Sequence, residues 1–338
     1  MFDRRTPVHV TLIGTPDTQV GPLSGLYETL TAFPLLASME ADVPPRPFDV
    51  EIAVPDDAPA RGASGLPLGA HRAASDIPRT DLAIVPLMLV RDRVWTTGRY
   101  RGLVEWLRHQ HAQGAVLASA CTGVLLLAET GLLAGREATL HWAFAPTFRR
   151  NFPDVRVRTE ESLITAGDRR ELVMTGGVMS WHDLALHVIA RYVGTDAARG
   201  MARLLMLEWH GQGQAPYLRF TPILDHGDAL VAQLQHWLEG HFMVPTPVDE
   251  MAARTGVPKR TLERRFRRAT GDSPLAYVQR RRIAEARRRL ERTRDPVDAI
   301  GEAVGYENLA FFRRVFKRET RLTPGAYRRK LQIAELGA

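Results

Sequence analysis

One pattern occurs twice in the C-terminal hundred residues, about fifty positions apart, and this repetition restricts the folds open to the chain more than any other feature. In the first copy Val248, Met251 and Ala252 recur at helical spacing, Gly256 interrupts, and Leu262 and Phe266 follow four residues apart. In the second, Val297 and Ile300 precede Gly305-Tyr306, and Phe312 and Phe316 repeat the four-residue step. A small alanine in the first helix lets the second cross closely, and glycine accepts the positive φ of a tight turn, so each copy reads as a helix-turn-helix. Residues 274–292 between them read as one long helix bounded by Pro274 and Pro296, a rigid spacer. Its expected apolar stripe is Leu275, Val278, Ile283, Ala286 and Leu290, which leaves Arg280, Arg281, Arg287 and Arg288 on the remaining surface.

The charges follow the same division. Of the net +7, residues 241–338 carry +11 and the remainder −4, so the basicity is local. A basic module joined to a mildly acidic one suggests that only the C-terminal part meets a polyanion, with a solvated arginine-rich surface as the alternative. On each second helix the core stripe turns the cations outward: Arg260 and Arg264 in the first unit, Arg313, Arg314 and Lys317 beside Ala310 in the second.

From about Leu230 to Lys330 the chain resembles the AraC family of transcription regulators, most specifically along Gly305-Tyr306-Glu307-Asn308-Leu309-Ala310-Phe311-Phe312-Arg313-Arg314 and Leu322-Thr323-Pro324-Gly325-Ala326-Tyr327. Two residues depart from the family pattern. Gly301 stands where alanine is expected, and Arg321 replaces the glycine that ends the last recognition helix, which forces a non-glycine residue into a left-handed cap. The resemblance implies that both recognition helices enter successive major grooves on one face of promoter DNA, about 34 Å apart. It assigns the DNA-binding face to Arg260, Thr261, Glu263 and Arg264 in the first unit, and to Leu309, Ala310, Arg313, Arg314 and Lys317 in the second. Arginine can read guanine bidentately while Leu309 and Ala310 reach only thymine methyls, so the first unit is expected to read more sequence.

The N-terminal part has a different grammar. Apolar, largely β-branched runs at residues 8–13, 48–54, 82–87, 116–119, 162–165 and 172–175 alternate with helical patterns at 100–113, 123–129 and 181–192. Such alternation predicts an α/β domain, a flavodoxin-like, mainly parallel sheet with helices on both faces, followed by an all-α domain with two helix-turn-helix units. With 338 residues, 45% of them apolar, there is material for two cores. The expected domains are 1–210, a connector at 211–227 rich in glycine and proline, and 228–338. No apolar run is long enough for a membrane helix, and the start, Met1 to Pro7, lacks the features of a secretory signal. A cytoplasmic protein is therefore expected, and the lone Cys121 agrees with a reducing compartment and excludes a disulfide scaffold or cysteine zinc site.

Residues 116–124 run from strand through Ala120-Cys121-Thr122-Gly123 into helix, the sharp bend at which α/β folds display a nucleophile. With Ala138-Thr139-Leu140-His141-Trp142, Gly131-Leu132-Leu133-Ala134-Gly135-Arg136 and Asp183-Leu184-Ala185-Leu186-His187, most of residues 8–195 is similar to the ThiJ/PfpI branch of the class I glutamine amidotransferase-like superfamily. The domain order is that of the GlxA-type regulators, in which such a domain precedes an AraC module. Catalytic members of the superfamily commonly place a histidine directly after the cysteine and an acid in the loop after the first strand. Here Thr122 follows Cys121 and the nearest loop acid is Asp17, which argues against hydrolysis. Cys121, with Thr122 and His141, is expected to sense a ligand or redox state; a small buried hydrophobe and a nucleophile are the other two readings. His182 and Asp183, at a helix start, read as capping residues. The expectation is a one-component regulator without catalytic residues, metal or cofactor. It would dimerise through its N-terminal domain, bind DNA and a small-molecule effector, and contact RNA polymerase. An amidase-like or isonitrile-hydratase-like enzyme with a DNA-binding tail is the alternative.

Overall fold

The computed structural model describes residues 6–56, 60–224, 226–243 and 247–332; the opening residues 1–5, on which the reading of the N-terminus rests, lie outside these, as does Asp225 of the connector. The chain separates into two compact units, Met1–Gln214 and Ala215–Ala338.

In the first unit, elements follow in the order β1 (Val8–Ile13), α1 (Val20–Thr31), α2 (Phe33–Met39), β2 (Phe48–Val54), β3 (Arg72–Ala73), β4 (Leu82–Val85), α3 (Arg101–Ala112), β5 (Val116–Ala120), α4 (Val124–Glu129), β6 (Glu137–Ala138), α5 (Ala145–Asn151), β7 (Arg156–Val157), β8 (Leu163–Ala166), β9 (Leu172–Thr175), α6 (Trp181–Tyr192) and α7 (Thr195–Leu204). Seven strands pair in the order β3-β2-β1-β4-β5-β9-β8, all parallel except β8 against β9, and β6 and β7 form a separate parallel pair. Successive side chains of a strand point to opposite faces, so a sheet covered on both sides needs apolar residues at every position. The central strands satisfy this: Leu82, Ala83, Ile84 and Val85 are all buried, as are Leu172, Val173 and Met174. One face packs against α1 and α6 through Leu23, Leu26, Leu184 and Ile189. The other packs against α3 and α4 through Leu103, Leu107, Leu125 and Leu126. The mainly parallel α/β domain expected from the strand–helix alternation is thereby realised.

The second unit is helical: α8 (Ala229–His241), α9 (Pro247–Thr255), α10 (Lys259–Thr270), α11 (Pro274–Arg292), α12 (Val297–Ala303), α13 (Leu309–Thr320) and α14 (Pro324–Leu331). It holds two small cores. Val231, Leu234, Leu238, Met251, Leu262 and Phe266 form one, Ile300, Val304, Phe312, Val315, Phe316 and Tyr327 the other. Helix α11 serves both, with Tyr277 and Val278 in the first and Ile283, Ala286 and Leu290 in the second. At 1.5 Å per residue its 19 residues span about 28 Å, enough to hold the two units at a fixed interval.

Two expectations for α11 are corrected. Leu275 is 54% exposed and off the stripe, its place taken by Tyr277, because the buried face at this end of the helix runs through Pro274, Tyr277 and Val278, three and four residues apart. Arg287 is no surface residue: its Nη2 donates to the carbonyls of Ala215 (3.2 Å) and Glu319 (3.0 Å), Nη1 donates to Leu218 O, and its buried Nε leaves the guanidinium largely withdrawn from water.

The turn glycines take the conformations the pattern requires, φ +64° at Gly256 and +91° at Gly305. Gly271 caps α10 with φ +79°, and at the corresponding end of α13 Arg321 adopts φ +58°. A side chain in this region strains the backbone by roughly 1 kcal/mol. Arg321→Gly is therefore expected to stabilise the second core by about that amount, less the unfolded-state entropy glycine adds, seen as a higher urea midpoint at unchanged slope. Gly301 has the opposite logic. A Cβ there would stand 2.9 Å from both Leu309 Cδ2 and Phe312 Cδ1, so its absence lets α12 and α13 approach more closely than alanine would allow.

Candidate functional site

Each recognition helix is fixed from beneath by its own core and presents cations above. On α10, Leu262 and Phe266 are fully buried, while Arg260, Glu263 and Arg264 are exposed and Thr261 is half-buried. Among the described residues Arg260 and Arg264 make no ion pair. Arg265, one step around the helix, is spent on structure: its Nε and Nη2 donate to the Asp228 carboxylate at 2.9 and 2.6 Å. That carboxylate also accepts from Val231 N at the start of α8, and the guanidinium holds it below the usual carboxylate range. On α13, Ala310, Arg313, Arg314 and Lys317 are exposed. Leu309 is half-buried, its Cδ2 turned toward Gly301 of α12, and so offers DNA less than its position suggested. Arg313 is engaged by Asp298, and Arg314 lies over the Phe311 ring at 5.1 Å.

The elbow lies in the first unit. At the end of β5, Cys121 adopts φ +53°, a strained value for a residue with a side chain, and one turn of 3-10 helix, Cys121–Gly123, leads into α4. Gly123 is dictated by proximity, since a Cβ would meet Val85 O at 2.4 Å and Pro86 O at 2.5 Å. Thr122 fastens the bend to the segment after β4: its hydroxyl donates to Met88 O (2.5 Å) and accepts from Met88 N (3.1 Å). The Cys121 thiol is only 1% exposed. Burial pushes its pKa up to about 11, against the weaker opposing pull of the backbone N–H groups of Thr122 and His141 and the Thr122 hydroxyl.

The residues expected to sense, Cys121, Thr122 and His141, lie together at the bend. His141 approaches Cys121 through its backbone amide. Its ring Nδ1 instead accepts from Ala143 N at 3.2 Å, and the ring stacks on Trp142. Burial lowers the imidazole pKa. Asp17 is committed elsewhere, accepting from Tyr100 Oη at 2.8 Å and from Arg99. The capping role expected of Asp183 is overturned: fully buried, it accepts from His210 N through Oδ1 (3.0 Å) and meets His210 Nδ1 through Oδ2 (2.9 Å), while α6 begins without a side-chain cap. Sequence reasoning also passed over Gln214, buried, whose Nε2 lies within hydrogen-bond reach of Leu140 O, Thr159 O and Glu161 O. Gly176 makes room for it, since a Cβ there would stand 2.0 Å from Nε2; the Gly176-Gly177 pair is the one available signal. A cleft of about 420 Å³ opens between Gln19, Val20, Pro22, Ser64, Leu66 and Leu89, the last next in sequence to Met88, to which Thr122 bonds.

Because the thiol is more acidic unfolded than folded, the neutral form favours the native state. That contribution, on the order of 3 kcal/mol, is complete below the ordinary thiol range and is lost as pH rises through about 11. At neutral pH, native Cys121 is expected to react with a disulfide reagent at least a hundredfold more slowly than in urea, followed by absorbance; equal rates would show an accessible thiolate.

An α/β unit with a cysteine elbow, joined to two helix-turn-helix units with outward cations, defines a regulator with separate sensory-type and DNA-binding parts. A helix-turn-helix domain profile matches residues 251–330, and the DJ-1/PfpI family profile matches residues 31–175. The transcriptional regulator GlxA of Rhizobium meliloti is 30% identical over 227 residues, 66% of this chain and 68% of its own. CdhR, an HTH-type transcriptional regulator of Pseudomonas aeruginosa, is 29% identical over 289 residues, 82% of this chain and 81% of its own. In fold, a Vibrio parahaemolyticus protein superposes with TM-score 0.51 at 19% identity, over 60% of this chain and all of that one. The chain belongs to the AraC-type transcriptional regulators that carry a DJ-1/PfpI domain, and it is a DNA-binding regulator. Among the described residues no helix is long and apolar enough to cross a membrane.

Proposed function

We propose that the chain is a cytoplasmic one-component regulator. Residues 1–210 sense an effector and dimerise, residues 211–227 connect, and residues 228–338 read promoter DNA. The observation that carries this is the pair of recognition helices, each with a buried apolar stripe and an exposed cationic face, fixed at one interval by α11. Arg260, Thr261, Glu263 and Arg264 contact bases in one major groove; Leu309, Ala310, Arg313, Arg314 and Lys317 contact bases and phosphates in the next. Two modules on one DNA, through a homodimer, raise affinity by effective concentration. Bound near a promoter, the protein contacts RNA polymerase.

The effector enters the cleft beside Leu89, and Thr122, bonded to Met88, relays its presence to the elbow. Cys121 is not a nucleophile here: buried and raised in pKa, it has no side-chain base among its described partners. The test is enrichment from a random DNA pool by the full-length protein at a stated salt concentration. Recovery of a motif with two half-sites supports the reading, and recovery of none overturns it. Turnover of amide or isonitrile substrates that Cys121→Ser abolishes would favour the enzyme.

A further inference from the structure

We propose that Arg287 is a positioning residue for the second recognition helix, and that it makes the connector segment Ala215–Leu218 part of the DNA-reading apparatus rather than a tether. Arginines on α11 would be expected in solvent, yet this guanidinium is withdrawn from water, which lowers its pKa, without a carboxylate among its hydrogen-bond acceptors. Its acceptors are three backbone carbonyls. Ala215 O and Leu218 O belong to the connector, and Glu319 O belongs to the last turn of α13.

The choice of carbonyls is physically specific. The final carbonyls of a helix have no partner within it, and the helix dipole places partial negative charge there, so a buried cation answers both needs. The connector meets α13 directly as well. Residues Ala215–Tyr217 form one helical turn, with Ala215 and Pro216 buried, that packs against α13. The Tyr327 ring, whose hydroxyl donates to Glu291 Oε1 at 2.6 Å, lies 5.8 Å from the guanidinium and closes its remaining side. One charged side chain thus joins α11, the connector's first turn and the end of α13, whereas the link at α10 is apolar, the Tyr277 ring of α11 packing on Phe220 (5.0 Å) and on Phe266 (5.2 Å). There Arg265 binds the Asp228 carboxylate at the start of α8, which lies beyond the connector's first turn. The placement of α13 therefore depends on the connector's first turn, Ala215–Leu218, while α10 is held by Asp228 and by the later connector residue Phe220.

The inference rests on the two-groove reading and is tested so that the two can fail separately. The probe is the DNA enriched from a random pool by the wild-type full-length chain, with hydroxyl-radical footprints measured for wild type, Arg287→Lys, Arg287→Met and Pro216→Gly. The half-site of α10 is identified as the one whose protection Arg264→Ala removes. Lysine keeps the charge but cannot span three carbonyls, methionine keeps bulk without donors, and glycine at 216 loosens the connector while leaving Arg287 in place. Expected is a loss of at least tenfold in the protein concentration needed to protect the α13 half-site in both Arg287 variants. A smaller loss at that same site is expected in Pro216→Gly, with protection at the α10 half-site within about threefold of wild type. A purely structural role would lower both half-sites together, in step with the melting temperature, and that outcome overturns the inference, as does unchanged protection of both. Wild-type protection of one half-site alone overturns the two-groove reading instead.

Discussion

Gly305→Ala is expected to unfold the second helix-turn-helix locally and to abolish its DNA contacts while leaving the first unit folded. The turn holds residue 305 at φ +91°, where an L side chain collides with its own backbone at about 1 to 2 kcal/mol. The new Cβ would also stand 2.6 Å from Met243 O and 2.8 Å from Met243 Cα. Backbone cannot rotate aside as a side chain does, so the turn or the segment just after α8 must shift, at about 1 to 3 kcal/mol more. The combined effect, about 2 to 5 kcal/mol, is a large share of what a core of ten residues can supply. Gly256→Ala is the internal control, because φ there is +64° and a Cβ would meet nothing within 4 Å. It should lose only the conformational part. Hydrogen exchange of peptides from α12 and α13 measures the difference: protection should drop about fivefold to a hundred-and-fiftyfold more for Gly305→Ala than peptides of α9 and α10 lose in Gly256→Ala. Equal losses would mean the contact with Met243 is not close.

What was legible beforehand follows from how many residues share a signal. Strands β1, β2 and β9 have the bounds read from sequence because apolar residues hold most of their positions, and their ends coincide with Gly14, Pro55 and Gly176. Strands β3, β6 and β7 are two residues each and leave no period to find. Helix α7 escaped for a related reason: its buried face is Ala197, Ala198, Gly200 and Met201, mostly residues too small to register as an apolar stripe. The site divides the same way. The elbow and both recognition helices are contiguous in sequence and were readable, but what their side chains touch depends on segments far away. Asp183 meets His210 at a separation of 27 residues, Gln214 reaches Leu140 at 74, and Arg287 reaches Ala215 at 72. Polarity gave the wrong answer for Asp183 and Arg287 alike, because a charged side chain goes inside when several partners are waiting there, and those partners are mostly backbone groups that sequence does not distinguish.

Removing Arg260 and Arg264 from the first recognition helix should erase sequence preference more than affinity. Arg260 and Arg264 stand exposed on α10 with no ion-pair partner among the described residues, so presenting them to guanine breaks nothing within the protein. Arg313 must first leave Asp298, an exposed pair worth at most about 1 kcal/mol, and Arg314 must leave the Phe311 face. Base contact by the first unit is accordingly the stronger discriminator. Each bidentate arginine contributes about 1 to 3 kcal/mol of discrimination, so the double variant Arg260→Ala/Arg264→Ala is expected to lose on the order of thirtyfold to ten-thousandfold for the selected sequence. For random DNA of equal length the loss should be under about tenfold, since only two phosphate-attracting charges are gone. Lys317→Ala supplies the contrast: a phosphate contact should weaken both DNAs by the same factor and reduce the salt dependence of binding by about one counterion. Titrations of both DNAs at three salt concentrations decide between these. If the double variant weakens selected and random DNA in parallel, the two arginines hold phosphates, and base reading has to be sought on α13.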